Sequence, residues 1–202
     1  DCGACTVLLD GEQVCPCIVA LGQREARSVI TVEGLAEADG TLSPLQRAFV
    51  AFGAAQCGIC TPGMLMSAEA LLRRQPHPSE AEVLDALGGV LCRCTGYRKI
   101  VEAVLSVSRA VLAPHDAPVD PRADVPAAAL GSGEAVGARV ERLDARDKVR
   151  GIALYGADTW PTDALAMRVV RSPHPHARFA LGDLAEFKQR WPGLTDVLLA
   201  AD

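Results

Sequence analysis

The residues of this sequence best suited to chemistry are its eight cysteines: Cys2, Cys5, Cys15, Cys17, Cys57, Cys60, Cys92 and Cys94. Residues 95–202 contain none. They come in close pairs, whereas a secreted disulfide scaffold is usually short and spreads its cysteines along the chain. A gap of two residues brings both thiolates to one centre more readily than it bridges distant segments, so chelation is the preferred reading. Cys57-Gly58-Ile59-Cys60 stands just before a helix start, and Cys92-Arg93-Cys94 stands just after the Gly88-Gly89 end of another. Two thiolate pairs at opposing helix ends supply four soft ligands, which suit zinc or an iron–sulfur cluster; residue types alone leave both open. The first pair points into a helix N-terminus, whose unpaired N–H groups and positive dipole end favour thiolates and a net-negative cluster. Gly58 lets the backbone come close enough to donate N–H bonds to sulfur.

The other group has Cys2 and Cys5 three apart, with Cys17 twelve residues further on. Plant-type [2Fe–2S] sites use C-x4-C-x2-C and a distant fourth cysteine. The sequence supplies the last three of these, and the missing one is expected five residues before Cys2, upstream of residue 1. Cys15 competes with Cys17, because period two puts both on one face of a strand. Cys17 is taken as the ligand and Cys15 as a small core residue.

The elements that must position these groups are readable in outline. Residues 6–10 and 12–20 flank Asp10-Gly11, a strong hairpin signal. A two-residue turn there pairs positions whose numbers sum to 21, so that Cys5 faces Pro16, Cys17 faces Ala4, and Cys2, Cys5 and Cys17 gather at the open end. Residues 28–32 read as another strand, closed by Glu33-Gly34. From about residue 43 the apolar period changes to helical. Ser43-Pro44 starts a helix that Gly53 stops. Thr61-Pro62 repeats the start signal for a helix to about Arg74. Ser79 with Glu82 is a capping box for a helix to about Leu87, and a last helix covers about 97–112. Four helices with short connections suggest a small antiparallel bundle. Residues 113–135, rich in Pro, Ala, Gly and Asp, read as a linker. From about 136 a mixed α+β segment begins, with strand-like runs ALAMRVVRS and TDVLLA.

Composition excludes other classes. The net charge is −5 with no basic stripe, which argues against nucleic-acid binding as a primary role. No apolar run approaches the roughly 18 residues of a membrane span. The 202 residues suffice for two or three compact units. No signal peptide is visible; the absence of an initiator Met leads us to expect a missing upstream segment, so a cytoplasmic location is expected and a periplasmic one stays open.

DCGACTVLLDG, VCPC before an apolar strand, TVEGLA, LSPLQRAFVAFGAAQCGICTPGMLMSAEALL and LCRCTGYRKIVEAV together resemble the iron–sulfur module of the xanthine oxidase, aldehyde oxidoreductase and carbon monoxide dehydrogenase family. The resemblance covers residues 1 to about 112. It implies an N-terminally truncated plant-ferredoxin-like β-grasp segment at 1–40 and a four-helix [2Fe–2S] bundle at 41–112. A linker at 113–135 and the α+β start of a molybdenum-binding domain at 136–202 follow. It also implies two [2Fe–2S] clusters, one on Cys2, Cys5 and Cys17 with the upstream cysteine, the other on Cys57, Cys60, Cys92 and Cys94. Gln56 matches a glutamine that contacts the pterin in the family, and Cys94 matches the ligand that also hydrogen-bonds to it. The implied cofactors are thus the two clusters and a molybdopterin, expected in its cytosine dinucleotide form. The second half matches more loosely, through Arg142, Asp144, Lys148, Gly151, Tyr155, Asp158, Arg171, Ser172, Pro173, His176 and Ala177. The layout implied is a fusion of iron–sulfur and molybdenum parts with no flavin domain between them.

The function implied is electron relay from molybdenum, in an oligomeric enzyme whose partners are the rest of the molybdenum domain or subunit and a flavin subunit or other acceptor. No catalytic residue is assigned within these 202; the family's active-site Glu is expected beyond Asp202. A zinc-stabilised structural module and a standalone ferredoxin-like carrier are the competing readings. Other conspicuous residues have plain roles. His174 and His176 lack the ligand count of a metal site. Met64 and Met66 fit a core. Arg98-Lys99 fits a solvated helix face, and Glu33 and Asp144 lack partners for acid–base work.

Overall fold

A computed structural model describes residues 2–111, 141–156 and 158–199. The chain divides into two compact units, 1–159 and 160–202.

The first unit opens with a hairpin. β1 (Val7–Leu9) pairs antiparallel with β2 (Glu12–Val14) in the register Val7–Val14, Leu8–Gln13 and Leu9–Glu12, each pair summing to 21 as expected. Asp10 and Gly11 both have positive φ, +52° and +88°, the conformation of the two-residue turn whose twist matches the strands. β3 (Val29–Ile30) joins the other edge of β1, giving the order β2-β1-β3, all antiparallel. The Asp10 carboxylate accepts from Arg27 Nε at 2.7 Å and Ser28 N at 2.8 Å, tying the hairpin turn to the start of β3. The expected strand over 12–20 stops early. Pro16 has no N–H to continue the ladder, and Pro16–Ile18 turn into a short 3₁₀ segment instead. A second 3₁₀ turn, Val32–Leu35, follows β3 and buries Val32 and Leu35.

The helices follow the sequence signals closely. α1 (Pro44–Phe52) has Ser43 as N-cap in a reciprocal box with Gln46, and Gly53 ends it in the left-handed conformation at φ +61°. α2 spans Thr61–Arg74. Its N-cap is Cys60, with Thr61 buried inside the first turn, so Thr61 is not the cap that its side chain suggests. α3 (Glu80–Leu87) starts at the Ser79–Glu82 box, and α4 spans Arg98–Val111. α1 packs on α4, α2 on α3, and α3 on α4. Their apolar faces bury Leu45, Phe49, Met64, Leu65, Met66, Val83, Leu87, Ile100 and Val104, each at most 2% exposed. Leu8 of β1 belongs to the same core.

Three backbone stretches meet where the first cysteine loop lands on this bundle. Leu91 N donates to Cys2 O at 2.8 Å. A Cβ on Gly3, which has φ +69°, would collide with the Gly89 carbonyl, and a Cβ on Gly63 would collide with the Gly3 carbonyl.

The linker expected over 113–135 lies outside the described residues. Beyond it, α5 (Ala145–Arg150) belongs to the first unit, packing on α1, α2 and the 32–35 turn. Ala145 and Val149 enter the core, and Gly151 ends the helix at φ +76°. Gln46, fully buried, accepts from Ser43 N through Oε1 and donates from Nε2 to Val149 O at 2.9 Å. A buried amide left unbonded is unfavourable. This one satisfies both ends by joining α1 to α5. The compact unit thus runs past the expected linker and takes in residues 141–159.

The second unit carries α6 (Leu184–Arg190), whose N-cap Asp183 accepts from Ala185 N and Glu186 N. The strand-like run 164–172 and the described part of TDVLLA form no strand. An extended segment needs a neighbour to complete its hydrogen bonds, and alternation alone does not supply one. No helix among the described residues is long and apolar enough to cross a membrane.

Gly63→Ala is expected to lower stability by about 1–3 kcal/mol, the usual effect of forcing an extra methyl into a tight contact. Gly89→Ala, whose Cβ meets nothing within 4 Å, is expected to be near neutral. Thermal unfolding of the two variants checks the difference.

Candidate metal centre

The loop before α2 and the loop after α3 bring Cys57, Cys60, Cys92 and Cys94 together. Cys94 Sγ donates to Cys57 Sγ at 3.2 Å. Cys60 shares a side-chain hydrogen bond with Cys92 and feels the charge of Cys57 and Cys94. The thiols therefore pair across the two loops, one from each. Cys57 and Cys94 form an exposed pair; Cys60 is buried and Cys92 half-buried, so the second pair sits deeper.

Their proton affinities differ for stated reasons. Burial, reinforced by the neighbouring thiols, pushes Cys60 up to about 12. The Ile59 backbone N–H, and then the Cys94 thiol, hold Cys57 below the usual thiol range. Burial works to raise Cys92, but hydrogen bonds from Thr95 and from Cys60 and Cys94 outweigh it, so the net shift is downward. Cys94, the donor to Cys57, is raised.

Each loop is braced by residues that the sequence reading did not pick out for this role. After Cys94, Gly96 and Tyr97 both take positive φ, +62° and +65°. That conformation is strained for a residue as bulky as Tyr. It is held because Cys92 N donates to Tyr97 Oη at 2.9 Å, Tyr97 Oη donates to Val90 O at 3.3 Å, and Tyr97 N donates to Thr95 Oγ1 at 3.0 Å. The Thr95 hydroxyl also lies 3.0 Å from Cys92 Sγ. The C-x-C-T-G-Y string is thus one folded knot, and the Thr-Gly-Tyr that follows the cysteines was its signal. On the other loop, Lys148 Nζ donates to Gln56 O at 2.7 Å and Tyr155 Oη donates to Cys57 O at 3.2 Å. Gly58, at φ +93°, makes room: its Cβ would lie 2.7 Å from Lys148 Cγ and 2.5 Å from Tyr155 Oη. Lys148 and Tyr155 stood in the sequence only as part of the looser resemblance, since nothing local links them to residues some 90 positions away.

At the first group, Cys5 and Cys17 are hydrogen-bonded to each other. The Cys17 backbone N–H lowers the Cys5 thiol, and the bond to Cys5 raises that of Cys17. Cys2 is exposed. Cys15 is half-buried with its sulfur 3.8 Å from the Thr6 hydroxyl. Gln56 is half-buried. Asp144 is engaged in charge pairing: Arg142, then Lys148, hold its carboxyl well below the usual range. His174 and His176 are exposed residues of the second unit.

Among the described residues no group of three or more Cys, His, Asp or Glu is placed as a site for one metal ion. The donor set at 57, 60, 92 and 94 is instead four soft thiols in two pairs, with no nitrogen or carboxylate among them. Those are donors for an iron–sulfur cluster and equally for zinc.

The chain matches the [2Fe-2S] binding domain family over residues 31–105. It is 57% identical over 104 residues to the nicotine 6-hydroxylase small subunit of Paenarthrobacter nicotinovorans, covering 52% of this chain and 62% of that one. The chain thus spans less than two thirds of that subunit's length. Among solved structures, it resembles the aldehyde oxidoreductase from Desulfovibrio gigas at TM-score 0.66 and 35% identity, over 78% of this chain and 17% of that one. It resembles quinoline 2-oxidoreductase from Pseudomonas putida 86 at TM-score 0.52 and 42% identity, over 55% of this chain and 69% of that one. The chain belongs to the xanthine oxidase and aldehyde oxidoreductase family, the molybdenum hydroxylases, and carries that family's [2Fe–2S]-binding part.

The thiolate is the form that alkylates. In the metal-free chain at pH 8, Cys57 is therefore expected to react with iodoacetamide well before Cys60, which keeps its proton until pH approaches 12. Peptide mapping by mass spectrometry at successive times reads the order; equal rates at the two positions would contradict it.

Proposed function

We propose that this chain is the electron-transfer part of a molybdenum-dependent hydroxylase, passing electrons from a molybdenum–pterin centre through two [2Fe–2S] clusters. The observation that carries this is the convergence of four thiols from two loops at the start of α2. Cys57, Cys60, Cys92 and Cys94 would hold the second cluster. Cys2, Cys5 and Cys17 would contribute to the first, on a sheet read as part of a ferredoxin-like β-grasp. Bound clusters supply one-electron redox chemistry, and the chain's own residues set its conditions.

Several features support the reading. The positive end of α2 and the Ile59 N–H favour negative charge on sulfur. The Leu91 N–H bond to Cys2 O joins the backbone next to Cys92 directly to a residue of the first group, a short bonded route between the sites. Cys94 is exposed, as a ligand that also meets a pterin must be. Gln56, next to Cys57, would take the other pterin contact, with the molybdopterin in its cytosine dinucleotide form. The rest of the molybdenum-binding domain or subunit is the partner on that face, and a flavin subunit or similar acceptor receives the electrons. The relatives' names mention nicotine, quinoline and aldehydes, so the same iron–sulfur part would serve many substrates, with the choice made elsewhere in the enzyme.

Visible absorption and electron paramagnetic resonance of the purified protein, reduced in steps, are expected to give two distinct [2Fe–2S] signals. Cys60→Ser should abolish one and leave the other. A colourless sample carrying zinc would overturn the proposal.

A further inference from the structure

Lys148 is the unusual charge of the first unit. Its side chain is only 7% exposed, the least of any ion-paired side chain among the described residues. Its stem lies over Gly58, and its ammonium bonds the Gln56 carbonyl at 2.7 Å, one residue before Cys57. Tyr155, from the same segment, bonds the next carbonyl, that of Cys57. The described peptide bonds are all trans, so pinning these two carbonyls toward α5 turns the N–H groups of Cys57 and Gly58 the other way. The loop's peptide planes are thereby fixed from outside the loop.

The local charges do not cancel evenly. Arg142, Asp144 and Lys148 form one network, with two cations and one anion. Asp144 is half exposed, so water screens it. Lys148 is largely out of water, where a charge acts more strongly on its surroundings.

We propose that Lys148 is a positioning residue that raises the reduction potential of the cluster held by Cys57, Cys60, Cys92 and Cys94, by setting a buried positive charge beside the Cys57 loop and fixing its carbonyls. This rests on the reading that those four cysteines hold a [2Fe–2S] cluster. Reduction adds one negative charge to that site, which a nearby cation stabilises. Asp144 works in the opposite direction, tempering the cation from its exposed side. α5 thereby does more than fill the groove between α1 and α2, since it sets how readily that site accepts an electron from its partner.

The test is a redox titration of the full cluster-loaded protein, following both [2Fe–2S] signals by electron paramagnetic resonance. Lys148→Gln keeps a donor for the Gln56 carbonyl without the charge, and Lys148→Met removes both. Each is expected to lower the helical cluster's reduced-to-oxidised ratio at a given potential about tenfold, a shift of about 59 mV for one electron. The other cluster's signal should stay where it is. Asp144→Asn, on a half-exposed side chain, should shift the same signal the opposite way. Opposite signs for the two substitutions are a signature that simple loosening of the segment cannot give. If both signals are present and neither Lys148→Gln nor Asp144→Asn moves the helical one, or if both clusters shift together, the inference fails while the functional reading stands. If the unmodified protein shows no second [2Fe–2S] signal, both fail.

Discussion

The contact on which both cysteine groups depend is one between backbones, at Gly3, Gly63 and Gly89. None of the cysteine loops has enough apolar side chains to bury itself, so each is placed by what its main chain touches. Gly3 lies against the carbonyl of Gly89, Gly63 lies against the carbonyl of Gly3, and Leu91 N closes on Cys2 O. The first two approaches leave no room for a Cβ on Gly3 or Gly63. The hairpin, the start of α2 and the exit of α3 are consequently held as one piece. The large core of Phe49, Met64, Leu65, Ile100 and their neighbours supplies stability. A core of that kind tolerates exchange of one apolar side chain for another, and it does not by itself set the spacing between sulfurs.

Around the second group the problem is negative charge. Burial, reinforced by the neighbouring thiols, makes Cys60 resist losing its proton. The protein answers from several directions at once. α2 turns its positive end toward the thiols, Ile59 N–H reaches Cys57, the Thr95 hydroxyl sits against Cys92, and Lys148 comes in from a separate segment. Thr95 can do so only because Tyr97 accepts a left-handed backbone that its side chain then repays with two hydrogen bonds.

Local signals carried most of the fold. The Asp10-Gly11 turn set the hairpin register, the Ser43 and Ser79 boxes began α1 and α3, and Gly53 stopped α1, all within the range where neighbouring residues decide the conformation. The reading went astray where a single residue overrode a pattern. Pro16 cut short a strand that hydrophobicity would have extended, and Cys60 capped α2 in place of Thr61. It also went astray at 164–172, where alternation had no partner strand to act on. The cysteines of the candidate site were legible because their types and spacing state their chemistry. Their supports were not. Lys148 and Tyr155 lie some 90 residues from the carbonyls they hold, and only the folded chain brings them there.

The attachment of α5 has a consequence for how such proteins can be divided. Gln46 to Val149, Lys148 to Gln56 and Tyr155 to Cys57 hold residues 141–156 against the iron–sulfur helices by ordinary noncovalent contact. A face held this way serves equally as a contact within one chain or between two. Whether it is called a domain contact or a subunit interface depends only on where the gene ends.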